Sequence, residues 1–190
     1  MGDQGTDIDP LVGVPDAFQR LWTPHRMVYV AGDAKPAHAD AGNSPEAQAQ
    51  CPFCIAPKHE DTESMVVARG EHAYVVLNLF PYNSGHVLIC PYRHVPDYTD
   101  LTADEMHEIG SLTQKTMRVI RAASAPAGFN IGLNQGIAGG AGIAAHLHQH
   151  IVPRWTGDAN FLPVIGQTKA LPELLADTRD KLAAEWGKLA

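Results

Sequence analysis

The chain has 190 residues, 45% of them hydrophobic, which suits one globular domain and excludes an intrinsically disordered chain. Fourteen Lys and Arg against 21 Asp and Glu give a formal charge of −7, which argues against a protein that wraps nucleic acid. Three cysteines are too few for a disulfide scaffold, whereas ten histidines are an unusual excess. The odd cysteine count fits a reducing compartment. No apolar run approaches the roughly 20 residues of a membrane span, and residues 1–15 lack the basic flank and apolar stretch of a signal peptide. A cytoplasmic protein without a membrane or nucleic-acid partner is the expectation.

Residues 1–15, rich in Gly, Asp and Pro, read as a tail. Residues 17–30 cluster Phe18, Leu21, Trp22, Met27 and Tyr29, and Pro24 divides them into a short helix and an extended piece. Residues 31–50, rich in Ala, Gly and Pro, read as a linker. Residues 1–50 are thus a tail, a short anchoring segment and a linker, and residues 51–190 form a single domain. Within it, the β-branched runs 64–69 and 73–78, parted by Gly70-Glu71-His72, read as paired strands, and 86–91 as a third. Thr102 and Glu105 have the spacing of a capping box. Met106, Ile109, Leu112, Thr113, Met117 and Ile120 then recur at helical steps, giving a helix of roughly 20 residues. Residues 129–134 and 146–153 read as the fourth and fifth strands, and 161–165 is short and apolar. Residues 172–189 form a closing helix with Leu174, Leu175, Leu182, Ala183 and Trp186 as its buried stripe. Most strand connections are too short for crossover helices, so the sheet is antiparallel and the fold class α+β.

The strongest chemical signal is His146-Leu147-His148-Gln149-His150. Side chains alternate along a strand, so three imidazoles at two-residue steps line one face. Such a row suits either a metal site or nucleophilic catalysis on an acyl or phosphoryl centre. Four glycines lie in residues 136–142 immediately upstream, among them Gly140 and Gly142, and their backbone N–H groups suit a phosphate. That loop tips the reading toward phosphoryl chemistry, although it matches neither the dinucleotide nor the P-loop fingerprint.

Cys51-Pro52-Phe53-Cys54 is a C-x₂-C knuckle whose spacing suits two thiolates on one tetrahedral ion. A redox pair needs a βαβ context that is absent, and two unrelated thiols are the bland alternative. His94, just after the third strand, is the first candidate for a further ligand, ahead of His59. Cys90 reads as a small buried hydrophobe in a strand. Trp155 suits stacking on a base or a place in the core. His25, His38, His72 and His107 fall in loops, turns or an exposed helix face and need no function.

With these motifs assembled, the sequence resembles the histidine-triad (HIT) nucleotide hydrolases and transferases. The triad stands here as HLHQHIV, and the likeness runs from Cys51 to Trp155 through SMVVARGEHAYVVLNLFPYNSGHVLICPYRHV and FNIGLNQG. The outer segments LWTPHRMVYV and RWTGDANF resemble the actinobacterial branch with diadenosine tetraphosphate phosphorylase activity. The resemblance implies a five-stranded antiparallel sheet with a long crossover helix and a C-terminal helix, and a homodimer or higher homo-oligomer. It implies that His148 attacks the α-phosphorus of a nucleotide and becomes nucleotidylated, that His150 contacts phosphate oxygens, and that His146 supports the nucleophile. Asn78 falls at the ribose-hydroxyl partner, His86 at a buried histidine near the triad, and Asn134 at a polar residue lining the phosphate site. Without the resemblance, Asn78 and Asn134 read as strand-end turn residues. The zinc-bearing branch implies a structural Zn²⁺ on Cys51, Cys54, His94 and His146.

One position departs from the family pattern. Four residues before the first triad histidine the hydrolases carry Gln and the phosphorylases Ser, and this chain has Gly142. The expected function is phosphorolysis of diadenosine tetraphosphate to ADP and ATP through a nucleotidyl-histidine. The alternatives are a phosphate-independent hydrolase of dinucleoside polyphosphates or adenosine phosphoramidates, and a non-catalytic nucleotide-binding module.

Overall fold

The computed structural model describes residues 44–158, 165–166 and 171–189. The expectations for residues 1–43, with His25 and His38, and for the apolar run 161–164 lie outside the described residues. The first described helices are α1 (Pro45–Gln50) and α2 (Pro52–Ile55). Residues 45–50, expected as linker, form α1 because Ser44 caps it, its hydroxyl accepting from Ala47 N–H, and Pro45 opens it at a position that needs no N–H. Ala47 is buried.

Five strands follow: β1 (Val66–Arg69), β2 (Ala73–Leu77), β3 (Val87–Pro91), β4 (Gly128–Leu133) and β5 (Gln149–Arg154). They form one sheet in the order β1-β2-β3-β5-β4 with every pairing antiparallel. The pairing of β5 between β3 and β4 makes β3 and β4 run the same way, so the chain must cross over between them. It does so through α3 (Ala103–Ser124), closed at its start by the expected capping box of Thr102 and Glu105. Its buried face is Glu105, Ile109, Leu112, Thr116, Val119 and Ile120. Met106, expected in that stripe, is exposed. The closing helix α4 spans Leu175–Lys188 and buries Thr178 and Leu182. Leu174 is 73% exposed rather than part of the stripe, because it precedes the first helical turn.

The central strands β2 and β3 are buried along their whole length, with a different apolar cluster on each face. Val75, Leu77, Val87, Ile89 and Ile151 pack with Ile109, Leu112 and Ile120 of α3 and with Leu182 of α4. Val66, Tyr74, Val76, Leu88 and Cys90 form the second cluster, covered by Phe53, Ala56 and Tyr92. Cys90 is a buried strand residue, as expected. The pairing of Leu88 with His150 puts the third triad histidine on the face of this second cluster. Among the described residues, no helix is long and apolar enough to cross a membrane.

Candidate active site and metal centre

The strand that carries the triad is shorter than expected: β5 begins at Gln149, so only His150 lies in the ladder. The β3–β5 pairing stops at Ile89–Gln149, and the chain before it is held by other means. Leu147 N–H donates to Val95 O at 2.7 Å and buries its side chain with the helix-side core. Gln149 also faces the helices, where its Nε2 donates to Thr113 Oγ1 at 2.6 Å. The alternation therefore survives without a full ladder. Leu147 and Gln149 face α3, while His146, His148 and His150 meet Phe53, Tyr82 and one another on the opposite face.

The hydrogen bonds assign the ring protons. His148 Nδ1 lies 2.8 Å from His146 O, and a carbonyl only accepts, so Nδ1 carries the proton and Nε2 keeps its lone pair. Tyr82 backbone N–H donates to His86 Nδ1 at 3.0 Å, with Asn78 Nδ2 at 3.3 Å from the same atom. His86 therefore bears its proton on Nε2 and donates it to His150 Nδ1 at 2.9 Å. That leaves His150 with an N–H at Nε2, and this atom is buried with no hydrogen-bond partner among the described residues. A buried unpaired donor costs on the order of 1–3 kcal/mol unless something else accepts from it. The site thus presents a nucleophilic nitrogen on His148 and an unpaired donor on His150, their rings 5.0 Å apart.

Electrostatics keep the triad neutral. Burial holds His148 below the usual histidine range, against the pull of the His146 carbonyl. Burial, reinforced by the charge of His148, lowers His150 to about 4. His146 is lowered to about 4 by burial and by neighbouring His94 and His148, with the Pro91 carbonyl opposing.

Beside the triad, Cys51, Cys54, His94 and His146 each offer a ligand atom, all within 4.8 Å of one another. His146 Nε2 lies 2.9 Å from Pro91 O and must donate, so Nδ1 turns its lone pair toward the thiols. Cys51 Sγ and Cys54 Sγ lie 3.5 Å and 3.4 Å from that nitrogen, and Cys54 Sγ is 3.2 Å from His94 Nδ1. A tetrahedral zinc with bonds of about 2.3 Å to sulfur and about 2.0 Å to nitrogen separates such atoms by roughly 3.5 Å. The donor set therefore fits zinc in chemistry and spacing. Burial and the nearby Cys51 push the Cys54 thiol up to about 12. His59, the weaker candidate ligand, is outside this cluster; it lines a groove instead.

The remaining candidates divide. Asn78 joins the site through His86, and its Oδ1 accepts from Phe80 N–H at 3.0 Å. Asn134 lies half-buried at the head of the glycine loop. The Gly140 N–H donates to Ile137 O at 3.0 Å, which closes the loop on itself. Gly142 sits half-buried four residues before His146. Gly139 is fixed by close approach, since a Cβ there would come within 2.2 Å of Gln135 O. Trp155 is not brought to the triad. Its Nε1–H donates to Ser124 O at the end of α3, and its ring lines a separate cavity of about 410 Å³ with Lys181 and Leu182 of α4.

Two aromatic residues that sequence reasoning passed over touch the triad. Phe53, inside the cysteine knuckle, packs on His148 at 4.8 Å between centroids. Tyr82, in the β2–β3 turn, lies parallel to His150 at 5.5 Å. The available signal was an aromatic residue inside each loop that flanks the chemistry. A groove of about 420 Å³ runs beside Leu79, next to Asn78, with Pro52, Ile55 and Ala56 on its walls.

The HIT domain family model matches residues 59–157. The chain is 51% identical over 183 residues to a protein of Mycobacterium tuberculosis named AP-4-A phosphorylase, covering 96% of this chain and 92% of that one. Among solved structures, a zinc-bound histidine triad family protein from Mycobacterium smegmatis shares the fold at a TM-score of 0.61 and 24% identity, over 75% of this chain and 96% of that one. A hypothetical histidine triad nucleotide-binding protein from Sulfolobus tokodaii matches with a TM-score of 0.60 and 25% identity, over 73% and 93% of the two chains.

Proposed function

This chain belongs to the HIT domain family, and we propose that it cleaves diadenosine tetraphosphate by phosphorolysis through a nucleotidyl-histidine. One observation carries the chemistry: a buried row in which His148 keeps the Nε2 lone pair and His150 holds an Nε2–H with no partner among the described residues. The substrate comes from likeness to the mycobacterial phosphorylase across 96% of this chain.

His148 Nε2 attacks the α-phosphorus in line, forming a P–N bond as the bond to the bridging oxygen breaks, and ATP leaves. The imidazole becomes cationic on attack, and the His146 carbonyl at Nδ1 stabilises that charge. His150 Nε2–H donates to the phosphate oxygens as negative charge shifts onto them. Inorganic phosphate then attacks the adenylyl group, the P–N bond breaks, and ADP is released with His148 restored. Asn78 meets the ribose hydroxyls, and the apolar groove beside Leu79 takes the base. Asn134 and Gly142 border the phosphates. The two amides that close the glycine loop, of Gly140 and Ala141, leave the equatorial oxygens to His150 and the rest of that loop.

Zinc bound by Cys51, Cys54, His94 and His146 serves structure, tying the knuckle that carries Phe53 to the triad. Residues 51–190 act as one catalytic domain, with α1 as its N-terminal extension, in a cytoplasmic homodimer. Strand β4, at the edge of the sheet with Ile131 exposed, supports pairing between copies.

Product analysis tests the reading. With diadenosine tetraphosphate and inorganic phosphate, the expected products are ADP and ATP in equal amounts, and omitting phosphate should stall turnover. AMP and ATP formed at the same rate without phosphate would assign a hydrolase instead. Binding without turnover under either condition would leave only a nucleotide-binding module.

A further inference from the structure

Tyr82 holds a place that the chemistry above does not use. It is 52% exposed, yet its ring lies 12° from parallel to His150 and 4.7 Å from the centroid of His86. The turn that carries it is pinned along its length. Asn78 N–H donates to His86 O at 3.0 Å, and His86 N–H donates to Asn83 O at 3.1 Å. Asn83 Nδ2 reaches across to Pro153 O at 3.0 Å and Asp158 Oδ2 at 2.8 Å, and Asp158 is itself held by Arg154. The turn thus sets where the half-exposed Tyr82 ring sits over the buried histidine pair.

We propose that Tyr82 is a positioning residue for His150, its backbone N–H setting the protons of the His86–His150 pair and its ring preventing His150 from turning. The inference rests on the reading of His148 as nucleophile and His150 as phosphate donor. The backbone bond alone fixes which nitrogen of His86 accepts, but it leaves His150 free to rotate about Cβ–Cγ. Rotation of the ring out of its plane would draw Nδ1 away from His86 Nε2–H and take the Nε2–H off target. With the Tyr82 ring lying parallel on it and the His148 ring meeting it at 62°, the plane of His150 is held. The ring also screens His150 from water. The titratable groups packed on His150 are His148 from its own segment, His86 ahead of β3, and the Tyr82 phenol. Opening that cover lets water stabilise the imidazolium, which would put a second proton at Nδ1 against His86 Nε2–H and break the pair.

Steady-state kinetics on diadenosine tetraphosphate with inorganic phosphate, run from pH 5 to 8 on the full chain, tests this. Tyr82→Ala should lower kcat about tenfold, a part of the hundredfold or more that a positioned proton donor contributes. KM should stay within about twofold, and the acid limb of the profile should move to higher pH. Tyr82→Phe should restore both kcat and the acid limb, because the planar face suffices. Should Tyr82→Ala fail to fold, Tyr82→Leu, which fills the space without a planar face, carries the same expectation. An unchanged kcat and acid limb in the Ala or Leu variant overturns the proposal. So does a Phe variant as impaired as they are, or a loss confined to KM. His148→Ala run alongside separates the two readings: a nucleotidyl adduct in that variant overturns the nucleophile itself, whereas its absence beside an unaffected Tyr82→Ala overturns only the role of Tyr82.

Discussion

Each triad histidine is defined by the atom that fixes its proton, and each of those atoms comes from elsewhere in the chain or from the backbone. Pro91 O holds His146, His146 O holds His148, and the Tyr82 amide holds His150 through His86. Neutral rings have a cost in acid. The folded His150 binds its second proton only near pH 4, whereas an unfolded histidine does so near pH 6.5. Between those values the unfolded chain holds more protons, so stability falls as pH drops through that window. The Tm should decline from pH 6.5 to 5, and His150→Asn should make the decline shallower without abolishing it, because His146 and His148 are also held below the usual range; a flat wild-type Tm in that range would contradict the assignment. Residue types and spacing made the histidine row and the cysteine knuckle legible. The proton assignment was not, because it depends on carbonyls and amides brought in by the fold, and the contact of Tyr82 with His150 was not, because an aromatic residue in a turn does not show which ring it will meet.

Local pattern and tertiary contact contribute unequally from one element to the next. Helix α3 was readable because its capping box and apolar steps are local, though Arg93, which pairs with Glu105 at 2.7 Å, reaches that cap from outside the helix. Strand β5 was drawn too long because an alternating pattern reports facing and not hydrogen bonding. Helix α1 was missed because Ala-rich polar composition resembles a linker, and only Ser44 and Pro45 signal its start. The turn between β1 and β2 shows how α3 locks the sheet. Glu108 accepts from the N–H groups of Glu71, His72 and Ala73, so its carboxyl stays ionised below the usual range despite burial. Glu108→Ala should cost on the order of 1–3 kcal/mol, read as a lower Tm. Gly70→Ala should share the defect, since its Cβ would meet that carboxylate at 2.6 Å. On the other side of α3, Thr113→Val strips Gln149 of its acceptor and should destabilise β5 by a similar amount.

At the scale of the molecule, one sheet separates two jobs. The helix side supplies the core, and the other face carries the triad, the knuckle and the Tyr82 turn. Four candidate ligands drawn from three separate segments would give a bound metal a staple's role across that face. Cys54→Ser, or extraction of metal with a chelator, should lower Tm and loosen Phe53 from His148, cutting activity without removing the nucleophile. A metal content well below one zinc per chain in fully active protein would refute this role. The reaction requires a covalent bond between His148 and the substrate. Intact-mass measurement after rapid quenching of the enzyme with diadenosine tetraphosphate, without inorganic phosphate, reads that bond. One adenylyl group per chain is expected, lost on adding phosphate as ADP appears and absent from His148→Ala. Unchanged turnover by His148→Ala, or an adduct that persists in it, would rule out His148 as the nucleophile.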